Sequence, residues 1–185
     1  MSELLGTKVL LATDGSEEAE LATRAAVEVS EGTGSELHVI YVEPVPDFMK
    51  KGDGTPGYDR ELYEMIEEEA RETLRKLTWR VKAARGTVAE AHLRMGSVAE
   101  EIVRLADELE AGLIVVGSRG LGRIRRTLAG SVSESVFRHA HCPVMVVRAK
   151  VSPPSRRGGG RPRVRRVFSQ EVDQASSALA QAGPA

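Results

Sequence analysis

The sequence predicts an α/β fold in which an open five-stranded parallel sheet carries helices on both faces, with an expected strand order of 3-2-1-4-5. Two observations support the predicted fold class. Short apolar runs alternate five times with longer segments in which apolar residues recur at helical spacing. Several of the short runs are apolar throughout, as is typical of parallel strands buried on both faces. Parallel strands joined through helices imply right-handed crossovers.

The first strand, the first helix and the second strand follow one another near the amino terminus. Residues 8–13 form an apolar run closed by Asp14-Gly15-Ser16, which suits a buried strand and a turn. Ser16 can cap a helix that continues to about Glu31 and ends near two glycines. The second strand is predicted at residues 37–42, because the proline at position 44 lacks an amide donor.

The middle of the chain combines a long loop with a long helix. Residues 44–57 are rich in proline and glycine, which predicts a loop. From Tyr58 to about Arg85, one apolar stripe in a charged background predicts a helix lying on the sheet, with Trp79 packed against it. The third strand is expected at residues 87–93, and the next helix begins at Ser97.

Two apolar runs complete the predicted sheet. Residues 113–116 form the clearest buried strand, and a helix is expected from Ser131 to about His139. The fifth strand starts at Pro143 and continues through Val144–Val147. An apolar strand at the end of a sheet exposes unpaired backbone groups, so we predict a homodimer through Val144–Val147.

Composition divides the 185 residues into one domain, 1–149, and a basic tail, 150–185. The domain holds 19 Lys and Arg against 25 Asp and Glu, and the tail seven against two. The tail's proline, glycine and six arginines predict disorder. Nucleic-acid contact by this tail is a weak alternative, because no run of aromatic residues accompanies the arginines.

Two absences limit the class of protein. No stretch approaches the roughly 20 apolar residues that span a bilayer, so we expect no membrane partner. Cys142 is the only cysteine, which excludes an intrachain disulfide and favours a cytoplasmic protein. His139 and His141 beside Cys142 suggest zinc, but neighbours at a strand entry are poorly placed to face one ion.

The segment from Gly117 to Ser131 carries the clearest functional pattern, G-x2-G-x9-G-S. Glycines let backbone amides approach an anion, and a helix beginning at Ser131 offers free N–H groups. Arg123 replaces the lysine of a Walker A loop, and Arg125 replaces the third glycine of a Rossmann fingerprint. Alternatively, the loop is only a tight connection, and Ser131 only a helix cap.

This pattern resembles the universal stress protein family, specifically its ATP-binding branch, over about residues 5–149. The Asp14-Gly15-Ser16 turn, Tyr41-Val42 and His141-Cys142-Pro143-Val144 extend the resemblance. It implies that Asp14 contacts the ribose or a metal such as Mg²⁺, that Val42 meets adenine through its backbone, and that the remaining site residues enclose the phosphates or line the pocket. Those residues are Gly117, Gly120, Gly130 and Ser131 at the phosphates, and Ala12, Thr13, Val116, Val132 and Ser133 in the walls. Arg119 is a further candidate phosphate ligand because of its charge and its hydrogen-bond donors.

The resemblance implies a nucleotide-dependent regulatory or stress-response module that binds ATP. No residue near the glycine loop suits a general base, so we expect no dedicated catalytic group. The alternative is a slow ATPase or an autophosphorylating enzyme acting on Ser131 or Ser133. Asp14 also has a purely structural interpretation as a turn-forming aspartate.

Overall fold

A computed structural model describes residues 8–50, 56–118 and 132–148, and the structural statements below concern these residues. They form a five-stranded parallel sheet in the order β3-β2-β1-β4-β5, which confirms the predicted α/β fold and strand order. In chain order the elements are β1 (Lys8–Ala12), α1 (Glu17–Thr33), β2 (Glu36–Glu43), α2 (Asp47–Lys50), α3 (Arg60–Ala83), β3 (Val88–Met95), α4 (Val98–Glu108), β4 (Leu113–Gly117), α5 (Val132–His139) and β5 (Val144–Val147).

Two apolar clusters cover the two faces of the sheet. On one face, alternate residues of β1, β2 and β4 pack against α1 and Val81 of α3. On the other face, Leu10, Ile40 and Ile114 pack against α4 and Val136 of α5. Each cluster removes nearly all of its side chains from water, which is the main favourable contribution to folding. The central strands are therefore buried on both sides, as their continuous apolar sequences predict.

The ends of α1 follow from its sequence. The Ser16 hydroxyl accepts a hydrogen bond from the amide of Ala19 at 3.3 Å and caps the first turn. Gly34 ends the helix with φ 68°, a left-handed conformation that glycine adopts without strain. The helix therefore runs two residues beyond the predicted end at Glu31.

Three details differ from the sequence-based expectations. The 44–57 segment contains the one-turn helix α2, because Val45 and Met49 bury their side chains on the domain. Trp79 does not pack against the sheet and is 68% exposed, since the buried stripe of α3 consists of Ala70, Leu77 and Val81. β3 extends to Met95, two residues past the predicted end.

The start of α4 matches its expected position, but its first turn has no side-chain cap. Ser97 is the N-cap residue, yet its side chain makes no capping hydrogen bond. No helix in the described part of the chain has the length and apolar character needed to cross a membrane.

Gly86, between α3 and β3, provides a test of close packing. A Cβ there would lie 2.5 Å from Val27 Cγ2 and 3.0 Å from Val81 Cγ1. Gly86→Ala should therefore lower the free energy of unfolding by about 1–3 kcal/mol, as overpacking does elsewhere. Urea unfolding measures the change.

Gly32→Ala is the matched control, because Gly32 lies within α1 and a Cβ there would meet nothing within 4 Å. Alanine favours helix over glycine, so this variant should be about 0.5–1 kcal/mol more stable. Equal effects of the two substitutions would contradict the packing described for Gly86.

Candidate functional site

The carboxyl ends of β1 and β4 lie side by side, and we call the region just beyond them the crevice. These strands are neighbours in the sheet, with Ala12 opposite Val116. The chain leaves β1 toward α1 on one face, whereas α5, which follows β4, packs on the other face. Strand order reverses here, and ligands of open α/β sheets bind at such switch points.

A compact turn forms the β1 side of the crevice. The amide of Ser16 donates to the Asp14 carboxylate at 3.0 Å, and the amide of Gly15 donates to the Thr13 hydroxyl at 3.4 Å. Gly15 has φ 79°, which explains why the turn needs a glycine. The turn thus fixes Thr13 and Asp14 immediately beyond the sheet.

Helix α3 holds this turn from the outside. The Arg80 guanidinium donates to the carbonyl of Gly15 at 3.2 Å and pairs with Glu20 at the same distance. A Cβ at position 15 would lie 3.0 Å from Leu77 Cδ2, so α3 lies directly against the turn backbone. The position of Asp14 therefore depends on packing from a distant part of the chain.

The β4 side of the crevice begins at Gly117, which approaches the first turn of α1 closely. A Cβ at Gly117 would lie 3.1 Å from the carbonyl carbon of Glu18 and 3.2 Å from the amide nitrogen of Ala19. The next residue, Ser118, donates its hydroxyl to the Glu18 carboxylate, and its amide donates to Val147 at 2.7 Å. These contacts fix the start of the glycine loop between α1 and β5.

A tyrosine–glutamate pair lies at the end of β2. The Tyr41 hydroxyl donates to the Glu43 carboxylate at 2.6 Å. Burial, this hydrogen bond and the charges of Glu43 and Asp14 raise the pKa of Tyr41 well above its ordinary value. Tyr41 therefore remains a neutral donor beside the acidic end of β1. The sequence interpretation did not single out Glu43, although its two-residue spacing from Tyr41 places both on one strand face.

The predicted site residues within the described ranges fall around the crevice. Thr13, Asp14 and Gly117 lie at its edge, and the buried Ala12 and Val116 lie beneath it in paired strands. Val42 is buried two residues beyond Ile40, whose carbonyl accepts from the amide of Thr13 at 3.2 Å. Val132 and the buried Ser133 start α5. The remaining predicted residues, Arg119, Gly120, Gly130 and Ser131, lie outside the described residues.

The described residues contain a candidate cation cluster that the sequence interpretation missed. It consists of His38, Glu90 and His92. These residues lie within β2 and β3, whereas Asp14 lies beyond the carboxyl end of β1. The signal was present in the sequence as two Glu-x-His tripeptides, one in β2 and one in β3. Burial raises the pKa of the Cys142 thiol.

Comparisons with known proteins agree with this architecture. The model of the universal stress protein family matches residues 7–148. Universal stress protein MJ0531 of Methanocaldococcus jannaschii is 36% identical over 148 residues, which cover 79% of this chain and 84% of that protein.

Two solved structures of similar fold carry adenine nucleotides. A universal stress protein in complex with cAMP is 29% identical with a TM-score of 0.57, over 76% of this chain and 96% of that one. A universal stress protein from Archaeoglobus fulgidus in complex with dAMP is 27% identical with a TM-score of 0.56, over 77% of this chain and 98% of that one.

The hydrogen bond between Ser118 and Glu18 should stabilise the crevice. Glu18 is a buried carboxylate, and removing one of its donors leaves part of its charge without compensation. Ser118→Ala should lower the free energy of unfolding by about 1–3 kcal/mol at neutral pH in a denaturant titration. Thr73→Ala is the control, because the Thr73 hydroxyl donates to the carbonyl of Glu69 in its own exposed helix turn, and its loss should change stability little. Equal losses in both variants would contradict this role for Ser118.

Proposed function

The chain belongs to the universal stress protein family, and we propose that it binds ATP in the crevice between β1 and β4 as a nucleotide-dependent regulatory module. The observation that carries the proposal is the position of Gly117. It ends β4 at the switch point, has no room for a side chain, and begins the G-x2-G-x9-G-S segment. The relatives in complex with cAMP and dAMP support an adenine nucleotide as the ligand.

Charge favours phosphate binding on the α5 side of the crevice. The first turn of α1 carries Glu17, Glu18 and Glu20, which repel an anion, and its Ala19 amide is already capped by Ser16. The first turn of α5 carries one acidic residue, Glu134. The amides that start α5 and the glycine loop before it are therefore the better donors to a triphosphate.

The sugar and base belong on the β1 and β2 side in this proposal. The Asp14 carboxylate can accept from ribose hydroxyls or share a Mg²⁺ ion with the phosphates, because hard oxygen ligands suit that ion. Val42 lies at the end of β2 with its side chain buried, so its backbone is the part available to an adenine edge. The apolar Ala12 and Val116 would form the floor.

We assign binding rather than turnover to this site. The two glutamates that flank the crevice are already engaged, Glu18 with Ser118 and Glu43 with Tyr41. A general base needs a free position within hydrogen-bond reach of the attacking group. Ser133 is buried, which disfavours it as a phosphate acceptor in an autophosphorylating enzyme.

We also propose a homodimer through β5. Within the described residues, β5 ends the sheet and pairs with β4 alone. Val146 exposes 36% of its surface, so an apolar side chain accompanies the open strand edge. A second copy of this strand would satisfy the backbone groups and cover the valine.

Cytoplasmic location and a disordered tail at 150–185 stay predictions.

Nucleotide binding is tested with Asp14→Asn. The amide oxygen of asparagine can still accept from Ser16, so the turn should persist while the charge is lost. Hydrogen bonds to charged groups contribute about 1.5–3 kcal/mol, so ATP affinity measured by calorimetry should fall about 10- to 100-fold. Mass spectrometry of small molecules released from the purified native protein should identify an adenine nucleotide.

Asp59→Asn is the matched control. Asp59 also accepts from a backbone amide at a helix start, that of Leu62, but it caps α3 rather than facing the crevice. Asparagine caps helices as well as aspartate, so both folding and ATP affinity should be unchanged. Undiminished ATP binding by Asp14→Asn would remove Asp14 from the site, and failure of the native protein to bind any adenine nucleotide would overturn the proposed function.

The dimer is tested with Val146→Lys. Lysine on an edge strand opposes pairing with another strand, so light scattering at micromolar concentration should give a dimer mass for the native chain and a monomer mass for the variant. Trp79→Lys adds the same charge at an exposed apolar position on α3 and should remain dimeric. A monomeric native chain, or equal dissociation of both variants, would exclude the β5 interface.

A further inference from the structure

Two Glu-x-His tripeptides lie side by side in the sheet, Glu36-Leu37-His38 in β2 and Glu90-Ala91-His92 in β3. Because strand side chains alternate between faces, the glutamate and histidine of each tripeptide share a face. His38 pairs with Glu90 in register, and His92 follows two residues later on the same face. Four groups that can ligate or orient a cation therefore meet in one patch.

An irregularity in the β2–β3 ladder creates this patch. Leu37 pairs with Val88, but His38 pairs with Glu90, so Ala89 is an extra residue in β3. In a regular ladder His38 would pair with Ala89, and Glu90 and His92 would point to the opposite face. A one-residue slip reverses every side chain of a strand. The bulge thus brings the second tripeptide onto the face of the first.

Three potential ligand atoms converge within 4.8 Å of one another. His38 Nδ1 lies 3.1 Å from His92 Nε2, and His92 Nε2 lies 3.8 Å from a Glu90 carboxylate oxygen. These two nitrogens form a hydrogen bond, and the two ring planes lie 22° apart. Ligands at about 2.0–2.1 Å from a tetrahedral zinc ion are separated from each other by roughly 3.3–3.4 Å, between the two observed distances.

The other ring nitrogen of His38, Nε2, is also placed as it would be in a metal-bound histidine. His38 is 5% exposed, and its Nε2 is a buried atom without a hydrogen-bond partner among the described residues. A Glu36 carboxylate oxygen lies 3.5 Å from it, at the outer limit of a hydrogen bond. Zinc-bound histidines typically direct their other N–H toward a carboxylate, which fixes the tautomer. A metal on Nδ1 would place the proton on Nε2, facing Glu36.

The charges around the cluster also suit a cation. Glu36 and Glu90 border it directly, and Glu108 at the end of α4 acts electrostatically on His92. Of the facing cations, Arg94 is paired with Glu108, and Lys8 lies across from Glu36 in β1.

We propose that His38, His92 and Glu90 bind a zinc ion, with Glu36 orienting His38 and a water molecule as the fourth ligand. Two imidazoles and one carboxylate favour zinc over Mg²⁺ or Ca²⁺, which prefer oxygen ligands throughout. The ion joins the edge strand β3 to β2. It is a site distinct from the crevice, because His38 precedes Val42 by four residues, roughly 13 Å along the strand.

Metal titration of the full chain, without nucleotide and without a histidine tag, tests the proposal. Calorimetry with Zn²⁺ should give one ion per chain, and Co²⁺ should produce the visible absorption bands of a tetrahedral site. His92→Gln should weaken Zn²⁺ binding at least tenfold and abolish those bands. Glu90→Gln alters a side chain that is 64% exposed, so it should fold normally and also lose at least tenfold.

The double variant His139→Gln, His141→Gln is the matched control. It removes the other two of the chain's four histidines, from an exposed helix end and the following loop. It should keep the native Zn²⁺ affinity and the Co²⁺ bands. The proposal is overturned if the native chain binds no Zn²⁺, if Glu90→Gln binds as tightly as the native chain, or if the double variant loses the site. The first result would identify the cluster as a hydrogen-bonded histidine pair alone.

Discussion

The parallel pairing of β1 with β4 is the interaction on which the rest of the structure depends. Both strands are buried on both faces, so helices must cover each side of the sheet. The chain supplies α1 and α3 to one face and α4 and α5 to the other. Because the connections after β1 and β4 lead to opposite faces, a crevice opens between them without any specialised residue. The position of the proposed ligand site therefore follows from the topology of the sheet.

Small residues then determine what this crevice can hold. Gly117 lets β4 end against the first turn of α1, and Gly15 lets the β1 turn lie against Leu77 of α3. A side chain at either position would separate elements that now touch, and would move Asp14 or the start of the glycine loop. The acidic first turn of α1 repels anions, so the α1 side of the crevice is unfavourable for phosphate groups. Geometry and charge therefore act together at this end of the sheet.

The fold was predictable from sequence because its signals are local. Continuous apolar runs mark strands buried on both faces, and capping residues mark helix starts, as with Ser16. Trp79 was mispredicted because helical periodicity does not show which part of a long helix reaches the sheet. The helix α2 was missed since Val45 and Met49 are buried only by tertiary packing. At the crevice, the sequence predicted Asp14 and Gly117, but the hydrogen bond between Ser118 and Glu18 joins residues a hundred positions apart.

The sequence by itself determined the α/β class and the glycine pattern at the end of β4, because periodicity, capping and spacing are local properties of short segments. Tertiary structure alone decided register and proximity. The two Glu-x-His tripeptides are visible in the sequence, but only the extra residue Ala89 turns the second onto the face of the first. Likewise, only packing brings Arg80 to the turn beside Asp14. Such contacts depend on strand register and on how the helices pack, and no local sequence pattern encodes either of these.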